Sequence, residues 1–289
     1  MAKHYIYLSI ILICALFYFY NRLLSHANPG EQFSEKKIIT NKKIIFTITT
    51  YLDFNKEDKW LALCNGMDSI LKHHPGIDSF IDFYVINEYS PDPKEDWVQK
   101  VKEKYSFIKF IQKSKELKGQ GESLNFILDL IKTYIYWIHW EEAWYCERPF
   151  IFEAIQIMDN TKISQLQFTK ELNHTHWEDK VNMSFCHLMP NDNNYCIINY
   201  NIDDYPKINL NKEFSHEDWM SVKWPLYSIR PSINRVKDYN FGKFLIKPEY
   251  WPLKFEIDYG ERWMRNKNIK AIFLEGSVTR KPTHVSTYH

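Results

Sequence analysis

Between Lys43 and Asn87 the sequence spells a strand, a helix and a strand joined by short connections, and that order commits the chain to a sheet with parallel neighbours. Lys43 to Thr50, KIIFTITT, is β-branched and ends in a hydroxyl pair followed by Tyr51, as a buried strand would. Trp60 to His73 carries Leu61, Cys64, Met67, Ile70 and Leu71 on one helical face and stops before Pro75-Gly76. Ser79 to Asn87, SFIDFYVIN, is the second strand and breaks at Glu88-Tyr89-Ser90-Pro91. Trp97 to Tyr105 predicts another helix and Phe107 to Ile111 a third strand.

Gly119 to Trp144 continues the alternation. Leu124, Ile127, Leu128 and Ile131 have helical spacing after a Gly-flanked entry, whose backbone amides are placed to face a ligand. Tyr134 to Trp140 is aromatic and β-branched and runs straight into Glu141 and Glu142, which suits a buried strand with acids at its carboxyl end. Thr49, Thr50, Asn87, Glu88, Glu141 and Glu142 therefore collect at one edge of the sheet, the edge where open α/β sheets bind ligands. The plainer alternative is a core strand whose first loop residues happen to be acidic.

Downstream, Arg148 to Met158 reads as a helix, Gln165 to Thr169 as a strand, and Glu171 to Lys223 as a long polar loop of the length that often serves as a lid or binding segment. His174, His176 and His187 lack regular ligand spacing or a paired Cys motif, so packed or solvated histidines are expected rather than zinc ligands. Trp224 to Val236, WPLYSIRPSINRV, is expected to end in a turn or helix start at Pro231-Ser232. Phe255 to Trp263 has an acidic pair followed by Arg-Trp at helical spacing, and Ala271 to Leu274 reads as a last strand.

With 45% hydrophobic and 17% aromatic residues, the 289-residue chain is ample for one large core or two small ones. A net charge of +1 with both signs interspersed gives no electrostatic footprint for nucleic acid. Tyr5 to Tyr20, YIYLSIILICALFYFY, is uncharged, follows Lys3 and precedes Asn21-Arg22. Residues 1–24 are accordingly a short tail and a transmembrane signal anchor, 25–42 a polar stem, and 43–289 the folded domain. The arrangement expected is single-pass type II, with the domain in the endoplasmic reticulum or Golgi lumen or an equivalent non-cytosolic side. A cleaved signal peptide ending near Ser25-His26-Ala27 is the alternative. In an oxidising compartment Cys186 and Cys196 either close a small loop or stay free and buried.

Taken in order, the TITTY strand, the acidic-Ser turn at Glu88-Tyr89-Ser90, the GQGESLN segment Gly119–Asn125, the strand ending in Glu141-Glu142-Ala143-Trp144, and WPLYSIRPSINRV resemble a GT-A-type glycosyltransferase. The branch is that of the inverting family-two enzymes, and the resemblance runs from about Ile44 through most of the chain. It implies an α/β nucleotide-diphospho-sugar transferase fold, with a mixed, mainly parallel central sheet flanked by helices. It also implies transfer from a nucleotide-sugar donor to a glycan, lipid or protein acceptor. Matched position by position, Thr49, Thr50 and Tyr51 line the nucleotide pocket, Glu88 contacts base or ribose, and Gly121 and Asn125 lie beside the donor. Arg230 either orients donor or acceptor or holds its loop.

Glu141 and Glu142 match the motif that holds a divalent cation, Mn2+ or Mg2+, on the diphosphate. The cation would neutralise charge on the departing nucleotide. His284 matches a late histidine that completes such a site, with a plain disordered tail as the alternative. The sequence departs from the pattern at Asn87, where an acidic pair is usual, and at Ala143, where an Asp is expected. These departures leave a second function open, a catalytically degenerate sugar-binding or scaffolding protein. An inverting transfer needs a carboxylate to take the acceptor proton, and Glu256 is the first candidate. Asp258 is the second, because its i,i+4 spacing to Arg262 equally suits a surface ion pair.

Overall fold

The computed structural model describes residues 44–52, 57–90, 95–168, 186–190, 195–200, 229–246, 254–273 and 277–280. The apolar run Tyr5–Tyr20, the stem, Trp224–Ser228, His174, His176 and His284 lie outside them. Among the described residues no helix is long and apolar enough to cross a membrane.

Strand β1 (Ile44–Thr50), helix α1 (Glu57–His73) and strand β2 (Ile81–Asn87) make the expected parallel crossover, with Thr50 in register with Asn87. Helix α2 (Glu95–Lys104) and strand β3 (Lys109–Gln112) extend it outward by one more parallel strand. After helix α3 (Gln120–Leu130) the chain returns on the other side of β1 as β4 (Tyr136–Glu141), again parallel, with Thr49 beside Glu141. Strand order thus reverses between β1 and β4. This is the switch point at which the carboxyl ends of an α/β sheet open a crevice.

The remaining elements are β5 (Trp144–Cys146), α4 (Ile151–Asn160), β6 (Gln165–Gln167), β7 (Cys186–Pro190), β8 (Tyr195–Tyr200), β9 (Ser232–Arg235), α5 (Lys254–Arg265), β10 (Lys270–Phe273) and β11 (Val278–Arg280). The main sheet has the order β3-β2-β1-β4-β9-β6-β10-β8-β7, and β11 pairs with β5 in a small second sheet. Its β3-β2-β1-β4 block is parallel, as is β6 with β10, whereas β9 runs antiparallel to both β4 and β6.

Alternation along the strands divides the core into two layers. Ile44, Phe46 and Ile48 of β1, with Phe83, Val85, Ile138 and Trp140, pack under α1, α2 and α4. Ile45, Ile86 and Trp137 face the other way, onto Leu124, Ile127 and Leu128 of α3 and Phe255, Tyr259 and Trp263 of α5. Each such side chain contributes about 1.5–3 kcal/mol by leaving water.

Two expectations change. The turn expected at Pro231-Ser232 is a bend through Arg230 and Pro231, followed at once by strand β9 from Ser232, whose Ile233 enters the first layer while Ser232 and Asn234 meet Gln165 of β6. Burial between two strands overrides the turn preference of Ser232. The long polar stretch from Glu171 contributes the β7–β8 hairpin, in which Cys186 pairs with Tyr200 and Cys196 with Pro190. That register sets the two cysteines about 13 Å apart along the strands, beyond disulfide reach. Cys64 and Cys146 are free and buried.

Candidate functional site

At the carboxyl edge β1, β2, β3 and β4 present Thr49-Thr50, Asn87-Glu88, Gln112-Lys113 and Glu141-Glu142 side by side. Asn87 is fully buried. Its Oδ1 accepts the Leu52 N–H at 2.8 Å and its Nδ2 donates to Gln112 Oε1 at 2.7 Å. An amide supplies a donor and an acceptor at once, which a carboxylate does not. The departure at Asn87 therefore has a structural cause, the stitching of three strand ends.

Glu88 is buried and committed. Its oxygens accept from Lys113 Nζ at 2.8 and 3.0 Å, from the Gly119 N–H at 3.0 Å and from Ser123 Oγ at 3.1 Å. Lys113 also donates to the Gly119 carbonyl, and burial pulls its ammonium below the usual lysine range against the opposing pull of Glu88. Gly119 has φ 107°, left-handed space that only glycine occupies without strain, and this turns its N–H to Glu88. Glu88 in this structure anchors the entry to α3.

Gly121 and Asn125 also act on the start of α3. A Cβ on Gly121 would meet the end of the exposed Ile246 side chain, so the glycine leaves that side chain room beside α3. Asn125 clamps the segment that carries Ile246, donating to the Phe244 carbonyl at 3.0 Å and accepting the Phe244 N–H at 2.7 Å. Thr49 Oγ1 lies 3.5 Å from the Trp140 carbonyl, Thr50 is fully buried, and Tyr51 is half-buried where the chain leaves β1.

The two glutamates after β4 part company. Glu141 is half-buried, its Oε2 accepting from Trp144 Nε1 at 3.2 Å and its Oε1 from Gln120 Nε2 at 3.4 Å. Glu142 is buried against Lys59 of α1, with Nζ to Oε1 at 3.2 Å and side chains only 4% and 2% exposed. Ala143 is buried between them and Trp144. A divalent cation wants several convergent oxygen ligands. Here one candidate is held by a buried ammonium and the other by an indole and an amide. Among the described residues no three His, Cys, Asp or Glu side chains stand together as a metal site. This donor set does not fit the cation that the resemblance implies.

Glu256, in the first turn of α5, comes to the same place. It is fully buried, its Oε1 accepts the Ile229 N–H at 3.1 Å, and burial pushes its carboxyl up to about 7. Neighbouring Glu141 raises it further, while that N–H, Arg230 and Lys270 oppose. Arg230 itself is exposed. Asp258, on the outer part of the same helix, is ion-paired to Arg262 at 2.7 and 3.0 Å. The structure thus brings together Thr49, Glu141, Arg230 and Glu256, and leaves Asp258 outside.

Sequence reasoning missed four buried groups. Lys59 and Lys113 carry no pattern beyond lysine among apolar neighbours. His74 accepts the Phe150 and Ile151 N–H groups on Nε2 at 2.9 and 3.1 Å, capping α4, and burial lowers its pKa to about 4. Its Nδ1 faces the Ile70 carbonyl at 3.2 Å, which fixes the neutral Nδ1–H tautomer. His139 of β4 is fully buried without a hydrogen-bond partner on either nitrogen, and burial lowers its pKa to about 3.

No family description matches the sequence, and no curated protein is similar to it. Solved structures are. Staphylococcus aureus TarS 1-349 in complex with UDP superposes with a TM-score of 0.50 at 15% identity, over 82% of this chain and 59% of that one. A second TarS structure gives the same TM-score and identity over 82% of this chain and 36% of its own. This chain thus spans less than two thirds of the TarS structures it matches. Mannosyltransferase PcManGT from Pyrobaculum calidifontis, in complex with GDP-Man and Mn2+, is more remote, with a TM-score of 0.37 at 13% identity over 45% of this chain and 36% of that one. The likeness to TarS establishes a shared mixed α/β fold.

Proposed function

We propose that this chain is a glycosyltransferase that moves a sugar from a nucleoside diphosphate donor to a hydroxyl acceptor on a glycan, lipid or protein. The observation that carries the reading is the placement of Glu256, a buried carboxyl on the first turn of α5 that accepts the Ile229 N–H and has Glu141, at the carboxyl end of β4, and Arg230 as charged neighbours; burial raises its pKa to about 7. A base works best when its pKa lies near the working pH. Glu256 would accept the acceptor hydroxyl's proton as that oxygen attacks the anomeric carbon from the face opposite the leaving nucleotide, which inverts the centre. Arg230, exposed beside Glu256, suits charge on donor or acceptor. The UDP complex of TarS, whose fold this chain shares, supports UDP as the first donor nucleotide to try.

No step is drawn through a cation, because Glu141 is held by Trp144 and Gln120 and Glu142 by Lys59. The commitment of Glu88 to Lys113 and of Glu142 to Lys59 favours a second reading, a chain that binds nucleotide sugar without transferring it. Titration of the full-length chain with UDP, followed by release of sugar from UDP-sugars, separates the two. Binding with turnover supports the transferase, binding without turnover supports the second reading, and no UDP or GDP binding refutes both. The apolar run Tyr5–Tyr20 supports a membrane anchor with the domain on the non-cytosolic side. Protease protection of the domain in sealed membranes tests that placement.

A further inference from the structure

Position 142 carries an acid where the resemblance implies a cation ligand, and the structure gives that acid a different partner. We propose that Glu142 is the buried counter-ion of Lys59, and that Lys59 is thereby a positioning residue for the turn that carries Glu141. The inference rests on the donor-site reading above.

Three observations meet at this pair. Lys59 Nζ lies 3.2 Å from Glu142 Oε1, and both side chains are almost wholly shielded from water, 4% and 2% exposed. A metal recruiting Glu142 would pull it away from the Lys59 ammonium at a site shielded from water, where separating two opposite charges costs far more than at the surface. Glu141 and Glu142 diverge: Glu141 is held by Trp144 and Gln120, and Glu142 by the first turn of α1. One ion therefore does not draw both acids without rebuilding the turn.

Helix α1 is also seated hard against that turn. A Cβ on Gly66 would lie 3.0 Å from the Trp144 carbonyl oxygen and 3.4 Å from that of Glu142, so glycine is what lets the helix backbone come this close. Close packing at Gly66 and the ion pair at Lys59 fix the turn from two points on one helix. The position of Glu141, the acid beside Glu256, follows from them.

The test uses the full-length chain titrated calorimetrically with UDP, once with EDTA and once with MnCl2. Wild type, Glu142→Gln and Lys59→Arg are compared. The ratio of the two dissociation constants in Glu142→Gln is expected to stay within about twofold of wild type, because Glu142 holds no cation. Lys59→Arg, which keeps the charge, is expected to retain UDP affinity within about threefold. A manganese effect of about tenfold or more in wild type that vanishes in Glu142→Gln overturns the proposal.

If UDP binds in neither buffer, the donor-site reading fails by itself. The ion pair is then judged by urea unfolding of Lys59→Met, Glu142→Met and the double variant, which is apolar and expected to fold. The proposal expects the double variant to recover about tenfold or more in folding equilibrium constant over the product of the single losses. Additivity within about twofold overturns it.

Discussion

Glu88 offers the sharpest test of the architecture at the carboxyl edge of the sheet, because one carboxylate ties three pieces of chain. It follows β2, neutralises Lys113 after β3, and receives the Gly119 N–H at the start of α3. Replacing Glu88 with Ala removes a buried partner and leaves the Lys113 ammonium, whose side chain is 1% exposed, without its counter-charge. Breaking such a pair from one side costs about 3–5 kcal/mol. Domains are stable by about 5–15 kcal/mol, so about a fifth or more of the total is at stake. With a denaturant slope of about 3 kcal/mol/M, a loss of 4 kcal/mol lowers the urea midpoint by about 1.3 M.

The assay is equilibrium urea unfolding of the purified chain at pH 7.5, followed by tryptophan fluorescence. The slope is checked so that a change in the denatured state is not read as stability. Glu88→Leu combined with Lys113→Met replaces the pair with apolar groups and is expected to recover most of the loss. A midpoint shift below about 0.3 M for Glu88→Ala would refute the reasoning and relegate the network to a weak surface-like pair.

Four further outcomes follow from the same geometry. Because the pKa of Glu256 is raised to about 7, transferase activity should rise with pH through about 7 and be lost in Glu256→Gln; a flat profile in wild type removes Glu256 as the base. The same group stabilises the fold fully below its unfolded pKa of about 4.5, and that contribution is lost as pH rises through about 7. Glu256→Gln should therefore gain up to about 3 kcal/mol at pH 8 while losing activity, measured by thermal and urea unfolding. His74 runs the other way: its pKa is depressed to about 4, so its contribution is present above about 6.5 and disappears as pH falls toward 4, by about 3 kcal/mol. His74→Ala should flatten that part of the acid limb and uncap α4, and an unchanged stability-pH curve counts against the assignment. Gly121→Ala should only turn the exposed Ile246 side chain aside, leaving the urea midpoint within about 0.3 M of wild type and the amide exchange of Phe244 unchanged.

Much of the frame was readable from the chain. The β-branched run of β1, the apolar face of α1 and the strand at β2 agree with one another locally, so their order alone predicts the parallel block and the edge that gathers polar residues. Helix spacing around Glu256 was equally plain, and the i,i+4 alternative for Asp258 is what the structure has. What stayed hidden depends on partners distant in sequence. Nothing near Glu88 announces Lys113, and nothing near Glu142 announces Lys59, 83 positions earlier. The bend at Pro231 was legible, but the strand that begins at Ser232 was not, because its conformation comes from β4 and β6 on either side. His139 gives no local sign at all, since its burial comes from strands β1 and β9 on either side of it, both distant in sequence.

Strand β1 is the first described strand and has β2 and β4 on either side, and this gives the sheet a direction. Its backbone begins at Ile44, on the amino edge, and reaches Thr50 and the carboxyl edge about 20 Å later. Thr50, Asn87 and Glu141 stand at one end of the three central strands, and Ile44, Ile81 and Tyr136 at the other. A substitution at the amino end therefore reaches the polar end only through the length of the strands themselves.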